Sequence, residues 1–231
     1  MILVLTGAGI SAESGLSTFR DKNGIWKQAS ADLATPEAFG NDPETVLAFY
    51  NERRAKLLKV EPNAAHRALV ELERAAAGAI ITQNVDNLHE RAGARKAIHM
   101  HGRLMQNLCA GCDHRWPEDG PITKDSRCPA CDGGVVRPDV VWFGEQAYEM
   151  DRIFELFQQV KTFVAIGTSA AVYPAAGFVE GAQKVGARTV EINLKPSERS
   201  ADFDEQIIGP ATETVPQWIA TELGAMRMRS G

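Results

Sequence analysis

The apolar run Ile2-Leu3-Val4-Leu5 breaks directly into Gly7-Ala8-Gly9-Ile10-Ser11-Ala12, and no other stretch restricts the fold as much. Consecutive apolar residues that end in a glycine turn suit a strand buried on both faces, as in a parallel sheet. The Gly-x-Gly-x-x-Ala spacing fits a phosphate-binding turn between that strand and a helix. Its glycines permit a tight turn and close approach of backbone to a pyrophosphate, whose charge a helix N-terminus favours. A purely structural strand-to-helix turn carries the same signature. A Rossmann dehydrogenase would add a second strand ending in Asp or Glu about 20 residues on. Phe19-Arg20-Asp21-Lys22-Asn23-Gly24 stands there instead, polar and loop-forming, so a bound dinucleotide is held in some other manner.

Further buried strands are expected at Ala79–Thr82, Thr162–Ile166 and Thr189–Ile192, with an edge strand at Ile207-Ile208. A helix over Pro174–Gly186 completes a strand–helix–strand unit, and this rhythm predicts an α/β fold, a Rossmann-like parallel sheet with helices on both faces. Asp42-Pro43-Glu44 supplies an N-cap, a proline at the first helical position and an early acid, which starts a helix to about Lys59. Pro62 opens another to Gly78, Val215–Leu223 forms a closing helix, and the tail from Met226 frays. Residues 21–42 are rich in Asp, Asn, Gly, Ser and Pro, with Trp26 and Phe39 among them. So long a loop in a compact domain usually covers a site.

The four cysteines form two knuckles, Cys109-x-x-Cys112 and Cys128-x-x-Cys131, with 15 residues between the pairs. That spacing lets four thiolates surround one zinc, and a site filled by sulfur keeps no position for substrate, so the metal is structural. The surrounding glycine- and proline-rich segment is too poor in apolar residues to fold without it. At 231 residues the chain suits one large domain with insertions. The expected division is a Rossmann-like unit over 1–24, 62–102 and 138–231, a loop and helical module over 25–61, and a zinc module over 103–137. The net charge of −5 argues against direct nucleic-acid binding. With no signal peptide and no apolar run of membrane-spanning length, a cytoplasmic protein without membrane contact is expected.

Polar side chains just beyond a strand's C-terminal end sit where open α/β sheets bind ligands. Gln83-Asn84-Val85-Asp86-Asn87-Leu88-His89, Gly167-Thr168-Ser169 and Asn193-Leu194-Lys195 all qualify. Among the histidines, His66 and His114 read as surface or packing residues, and His99 falls in a strand. His101 precedes a glycine at the end of an element, where an imidazole could enter a cleft as general base.

In order along the chain, Gly7-Ala8-Gly9-Ile10-Ser11, Thr82 to His89, His101-Gly102, the cysteine knuckles, Arg137-Pro138-Asp139-Val140-Val141-Trp142-Phe143-Gly144-Glu145, Gly167-Thr168-Ser169 and Glu191-Ile192-Asn193 resemble the sirtuins. The resemblance spans roughly residues 3 to 223. One departure is Gly15-Leu16-Ser17-Thr18, where many relatives carry Ile-Pro after the glycine; this bears on loop stiffness more than on chemistry.

The resemblance implies an NAD-dependent protein lysine deacylase. Such an enzyme cleaves the nicotinamide–ribose bond while the acyl oxygen captures the ribose carbon, and it releases nicotinamide, free lysine and 2′-O-acyl-ADP-ribose. His101 matches the base. Gly7, Ala8, Gly9, Ser11, Phe19, Arg20 and Trp26 match the cofactor turn and its mobile loop. Gln83 matches the ribose side, and Asn84 and Asp86 the nicotinamide pocket. Gly167, Thr168, Ser169, Asn193, Leu194, Lys195 and Ala211 match phosphate and adenosine-ribose contacts. The implied partners are acylated lysines of proteins, with nicotinamide as product and inhibitor, and the zinc is structural in this family too.

Tyr50 and Arg53 stand three apart in the helix from Pro43 and so share a face. Spacing alone favours a packed tyrosine beside a solvated arginine. By resemblance, Tyr-x-x-Arg here is the signature of the sirtuin subclass that removes succinyl, malonyl and related acidic acyl groups, besides acetyl. A guanidinium fork suits a carboxylate. Mono-ADP-ribosyl transfer to protein, or an NAD-sensing module without turnover, would share many of these motifs.

Overall fold

The computed structural model describes residues 1–18, 32–75, 77–131, 133–169 and 173–230, with side chains to 228. The expected cofactor contacts at Phe19, Arg20 and Trp26 lie outside the described residues. In chain order the elements are β1 (Ile2–Thr6), α1 (Gly9–Ala12), α2 (Pro36–Asn41), α3 (Pro43–Leu57), α4 (Ala64–Arg74), β2 (Gly78–Thr82), α5 (Leu88–Ala92), β3 (Ile98–His99), β4 (Gly102–Cys109), β5 (Arg115–Pro117), β6 (Val136–Val140), α6 (Met150–Phe157), β7 (Thr162–Ile166), α7 (Phe178–Lys184), β8 (Arg188–Asn193), β9 (Glu205–Ile208) and α8 (Ala211–Ser230).

Six of these strands form a parallel sheet in the order β3-β2-β1-β7-β8-β9. All five residues of β1 are buried, as its unbroken apolar run requires. Alternate side chains serve opposite layers. Ile2 and Val4 pack with Leu69 of α4 and Val215, Trp218 and Ile219 of α8, whereas Leu3 and Leu5 meet Ile153 and Phe157 of α6 and Phe178 of α7. Strand order reverses at β1, which pairs with β2 on one side and β7 on the other. Above the strands' C-terminal ends such a reversal leaves a crevice, the usual ligand position of an open α/β sheet.

The remaining strands form a smaller antiparallel sheet, β5-β4-β6. Its root pairs Gly102 with Val140, so the chain leaves the main fold and returns to it side by side. Val46, Tyr50 and Leu57 of α3 pack with Leu104, Met105, Val140 and Trp142, which fastens the helical segment onto this second sheet.

Three local expectations are corrected. The fourth helix begins after Asn63 rather than at Pro62, because the Asn63 side chain accepts from the Ala65 and His66 N–H groups while His66 reaches back to the Asn63 backbone. The closing helix starts at Ala211, ahead of Pro216, since the Glu13 carboxylate accepts from the Ala211 and Thr212 N–H groups. Its far end stays helical to Ser230 rather than fraying at Met226, which packs against the core. Among the described residues no helix is long and apolar enough to cross a membrane.

Candidate active site

A cleft of about 950 Å³ opens at the strand reversal. Its lining includes Gly7, Ala8, Gly9, Gln83, His101, Gly167, Thr168, Ser169, Asn193, Leu194, Lys195 and Ala211, so sequence positions far apart converge here. Tyr50 and Arg53 line the same cleft.

The floor is a crossing of two backbones. Gly9 donates its N–H to the Gly167 carbonyl at 2.8 Å, and Gly7 donates to Ile166 at 3.0 Å. A Cβ on Gly9 would lie 2.6 Å from the Gly167 Cα, and one on Gly7 would lie 2.7 Å from the Thr168 Cβ. Gly167 itself has φ +60°, in the left-handed region. Glycine is therefore required at 7 and 9 for contact between segments as much as for the turn. Helix α1 is a single turn, Gly9–Ala12, so its macrodipole is small; what the crossing offers a ligand is close approach to bare backbone.

Ser11, Asn84 and Asp86 stand behind this floor. Ser11 Oγ donates to Asp86 Oδ2 at 2.9 Å, and the Asn84 amide donates to the Gly7 carbonyl at 3.0 Å. Burial raises the Asp86 carboxyl above its ordinary value. Asn84 Oδ1 is buried with no donor among the described residues. His99 joins the Asn84 carbonyl, 3.1 Å from Nδ1, to the Glu90 carboxylate, 2.7 Å from Nε2. On the other flank Gln83 donates to Thr168 Oγ1 and Asn193 Nδ2 to the Thr168 carbonyl, both at 2.8 Å. Glu191 holds this flank from below, accepting from Asn193 Nδ2, the Ser197 N–H and Ser200 Oγ.

His101 Nδ1 lies 3.0 Å from the Gln83 carbonyl. A carbonyl only accepts, so Nδ1 carries the hydrogen and the neutral ring presents its lone pair at Nε2. Burial lowers the imidazole below its ordinary value, which keeps that lone pair free at neutral pH.

In the same cleft, Tyr50 Oη accepts from the Trp142 indole N–H at 2.8 Å, which leaves its own O–H to donate. Burial raises the phenol to about 12, so it stays protonated. The Arg53 guanidinium lies 5.2 Å from the Phe49 ring centroid.

Deeper still lie two histidines: His66, which the sequence reading left as surface or packing, and His89, which it placed at the end of the polar run after β2. His66 and His89 are fully buried, with ring centroids 5.1 Å apart. His66 Nε2 is 3.4 Å from Ser11 Oγ and His89 Nε2 is 3.0 Å from Thr6 Oγ1. Burial pulls them down to about 4 and about 3. Asn63, three residues before His66 and set to cap, was the available signal for the first; Arg54 and Glu13 gave none, because their partners lie far off in sequence. His114 is exposed as expected, stacked on Trp116.

The four cysteine Sγ atoms lie within 4.8 Å of one another, far along the second sheet. Cys109 and Cys131 are 3.6 Å apart and Cys112 and Cys128 3.7 Å, too long for disulfides. A tetrahedron with zinc–sulfur bonds of about 2.3 Å has edges of about 3.8 Å, so the donor set fits zinc. The Gly111 and Ala130 N–H groups donate to Cys109 and Cys128, as thiolates in such knuckles require. A Cβ on Gly134 would fall 2.0 Å from Cys109 Sγ, so the packing around the sulfurs also depends on glycine.

A parallel sheet with a glycine crossing at its reversal, a lone-pair-bearing imidazole above it and a four-thiolate outwork define an NAD-using α/β enzyme class. The Sir2 family model matches residues 7–174, and the chain belongs to the Sir2 family. It is 52% identical over 226 residues to an NAD-dependent protein deacylase of Caulobacter vibrioides, covering 94% of each chain. To the NAD-dependent protein deacylase of Escherichia coli K12 it is 47% identical, covering 99% of this chain and 84% of the relative. Among solved structures, a Sir2 homologue in complex with ADP-ribose superposes with a TM-score of 0.91 at 37% identity, over 98% of this chain and 93% of that one. A Sir2 protein bound to acetylated peptide superposes at 0.82 and 28% identity, over 97% and 93%.

Proposed function

We infer that this chain removes acyl groups from protein lysines at the expense of NAD, and that acidic acyl groups, succinyl and malonyl, are among its substrates besides acetyl. The observation that carries this reading is the shared cleft, in which the glycine crossing, the Nε2 face of His101 and the Tyr50–Arg53 pair all meet. The crossing and the orphan Asn84 Oδ1 suit the pyrophosphate and a ribose hydroxyl of NAD. NAD, when bound, supplies the ribose carbon that takes up the acyl oxygen.

The chain's own residues do the rest. His101 takes a ribose proton at Nε2 while Gln83 holds the ring's tautomer and orientation through Nδ1. Asp86 and Asn84 border the nicotinamide end, and Ser11 orients Asp86. Thr168, Ser169 and Asn193 through Lys195, with Ala211, hold the phosphate and adenosine end. Arg53 offers a planar fork to an acyl carboxylate, and the Tyr50 O–H adds a donor, each charge-assisted bond contributing roughly 1.5–3 kcal/mol. Functionally we divide the chain into an NAD-binding unit (1–24, 62–102, 138–231), an acyl-reading helical module (25–61) and a zinc-held module (103–137).

The test is incubation of NAD with acetyl-, succinyl- and malonyl-lysine peptides of one sequence, followed by mass spectrometry. Nicotinamide and free lysine appearing in equal amounts support the reading. A mass gain of ADP-ribose on protein indicates transfer instead, and NAD binding without nicotinamide release a sensor. Arg53→Met lowers kcat/KM for the succinyl peptide by about 10²-fold and leaves acetyl turnover within a few-fold.

A further inference from the structure

Helix α3 carries the acyl-reading pair, and its apolar residues fasten it on two sides. Val46, Tyr50 and Leu57 enter one apolar cluster, and Leu47 enters another with Ile122 and Val136. A polar clamp on the adjoining face adds directional hydrogen bonds to that packing. Asn51 and Arg54 each follow a cleft residue by one position, so at 3.6 residues per turn their face lies about 100° from that of Tyr50 and Arg53.

The clamp is built from backbone. Asn51 Nδ2 donates to the Ile122 carbonyl at 2.8 Å, and its Oδ1 accepts from the Ile122 N–H at 2.9 Å. Arg54, 2% exposed, donates through Nε to Leu104 O at 2.8 Å, through Nη1 to Gly120 O at 2.8 Å, and through Nη2 to Gln106 O at 3.1 Å and Asn107 Oδ1 at 2.8 Å. Every one of these acceptors is neutral, and among the described residues no ion pair holds this guanidinium. Burial lowers it only to about 10, so it remains a cation at neutral pH. An arginine without a bound carboxylate is a poor source of stability, because its desolvation is offset only by hydrogen bonds to neutral acceptors and by the field of Glu118 and Asp119. As a strut it is well suited, since a rigid fork of donors fixes direction as well as distance.

The geometry matters because α3 acts as a lever. On a helix of about 5–6 Å outer radius, a 20° rotation moves a side-chain tip by about 2 Å, and a hydrogen bond that works at 2.7–3.2 Å does not survive such a displacement. We propose that Asn51 and Arg54 are positioning residues for acyl-group selectivity, clamping α3 to β4 and to the 120–122 segment so that Tyr50 and Arg53 face the cleft in register for an acyl carboxylate. The proposal rests on the reading of Arg53 as the residue that pairs with that carboxylate.

The test compares Asn51→Ala, Arg54→Lys and Arg53→Met as zinc-loaded full-length proteins, with succinyl and acetyl peptides of one sequence, and with zinc content and circular dichroism checked for each. Clamp variants are expected to lower the succinyl-to-acetyl ratio of kcat/KM by about tenfold, with KM for NAD unchanged within about twofold. A residue that merely holds the fold lowers both peptides in parallel, so an unchanged ratio in a folded clamp variant overturns the proposal. If Arg54→Lys does not fold, Asn51→Ala decides alone. Arg53→Met separates the two levels: a ratio that it fails to move overturns the carboxylate reading and the clamp together. A ratio that collapses in Arg53→Met but holds in both clamp variants overturns the clamp only.

Discussion

Lowering the pH should weaken this protein chiefly through the two histidines buried behind the cleft floor. His66 and His89 titrate at about 4 and about 3 in the fold and near 6.5 when unfolded. Their folded values are depressed, so the unfolded chain binds more protons between pH 6.5 and these values. Stability is therefore full above 6.5 and is lost as pH falls through that window. From pH 7 to pH 5 each ring removes about 2 kcal/mol, roughly 4 kcal/mol for the pair, against a typical total of about 5–15 kcal/mol. For a chain of this size that is a fall in Tm of roughly 8–16 °C. Asp86 acts in the opposite sense, because its raised carboxyl gains a proton in the fold as pH falls. Urea unfolding of wild type and of His66→Gln at pH 5, 6 and 7 isolates the imidazole. Glutamine at this third helical position keeps the capping box with Asn63. The variant's loss of stability between pH 7 and pH 5 should be smaller by about 2 kcal/mol. Equal losses in the two proteins, or a His66 or His89 ring resonance titrating near its ordinary value in the folded state, would refute the argument.

The remaining expectations concern the chemistry and the scaffold. His101→Ala should cut deacylation by about 10²–10⁴-fold while calorimetry still detects NAD binding, and the acid limb of the wild-type kcat/KM profile should fall below the ordinary imidazole value, since burial lowers this ring. Cys128→Ala should reduce bound zinc from one per chain to none by elemental analysis and lower the unfolding temperature, because three thiolates do not close the site. Gly9→Ala should raise KM for NAD with the fold retained by circular dichroism, since its Cβ would meet the Gly167 Cα at 2.6 Å and force the two turns apart.

How legible all this was depended on how local its cause was. Strand β7 coincides with the sequence expectation, and β2 and β8 lie within a residue of theirs, because an apolar run between polar turns specifies a strand on its own. The start of α3 was equally plain, since Asp42 and Pro43 are neighbours and the Asp42 side chain does accept from the Thr45 N–H. By contrast, α8 begins where Glu13 meets it from the other end of the chain, and no pattern near Pro216 announces that. The cleft residues were legible only as ordered motifs. Their convergence needs the strand reversal at β1, which periodicity does not specify. Arg54 was hidden for a third reason: a buried cation held directly by carbonyls has no ion pair to announce it, and Glu118 and Asp119 act on it only through their field.

The side-by-side root of the second sheet bears on how such a chain can diversify. Gly102 opens β4 immediately after His101, with φ +82°, and a Cβ there would sit 2.1 Å from the Asp139 carbonyl, so the root is locked backbone to backbone. Beyond it the second sheet is braced by α3 at Leu104, Gly120 and Ile122, and the four sulfurs stand past those braces. Lineages can re-charge the zinc-bearing tip without moving either anchor, whereas a designer who grafts a foreign module there must match the spacing of its two ends and keep the contacts with α3. The imidazole one residue away from that root is insulated from experiments of either kind.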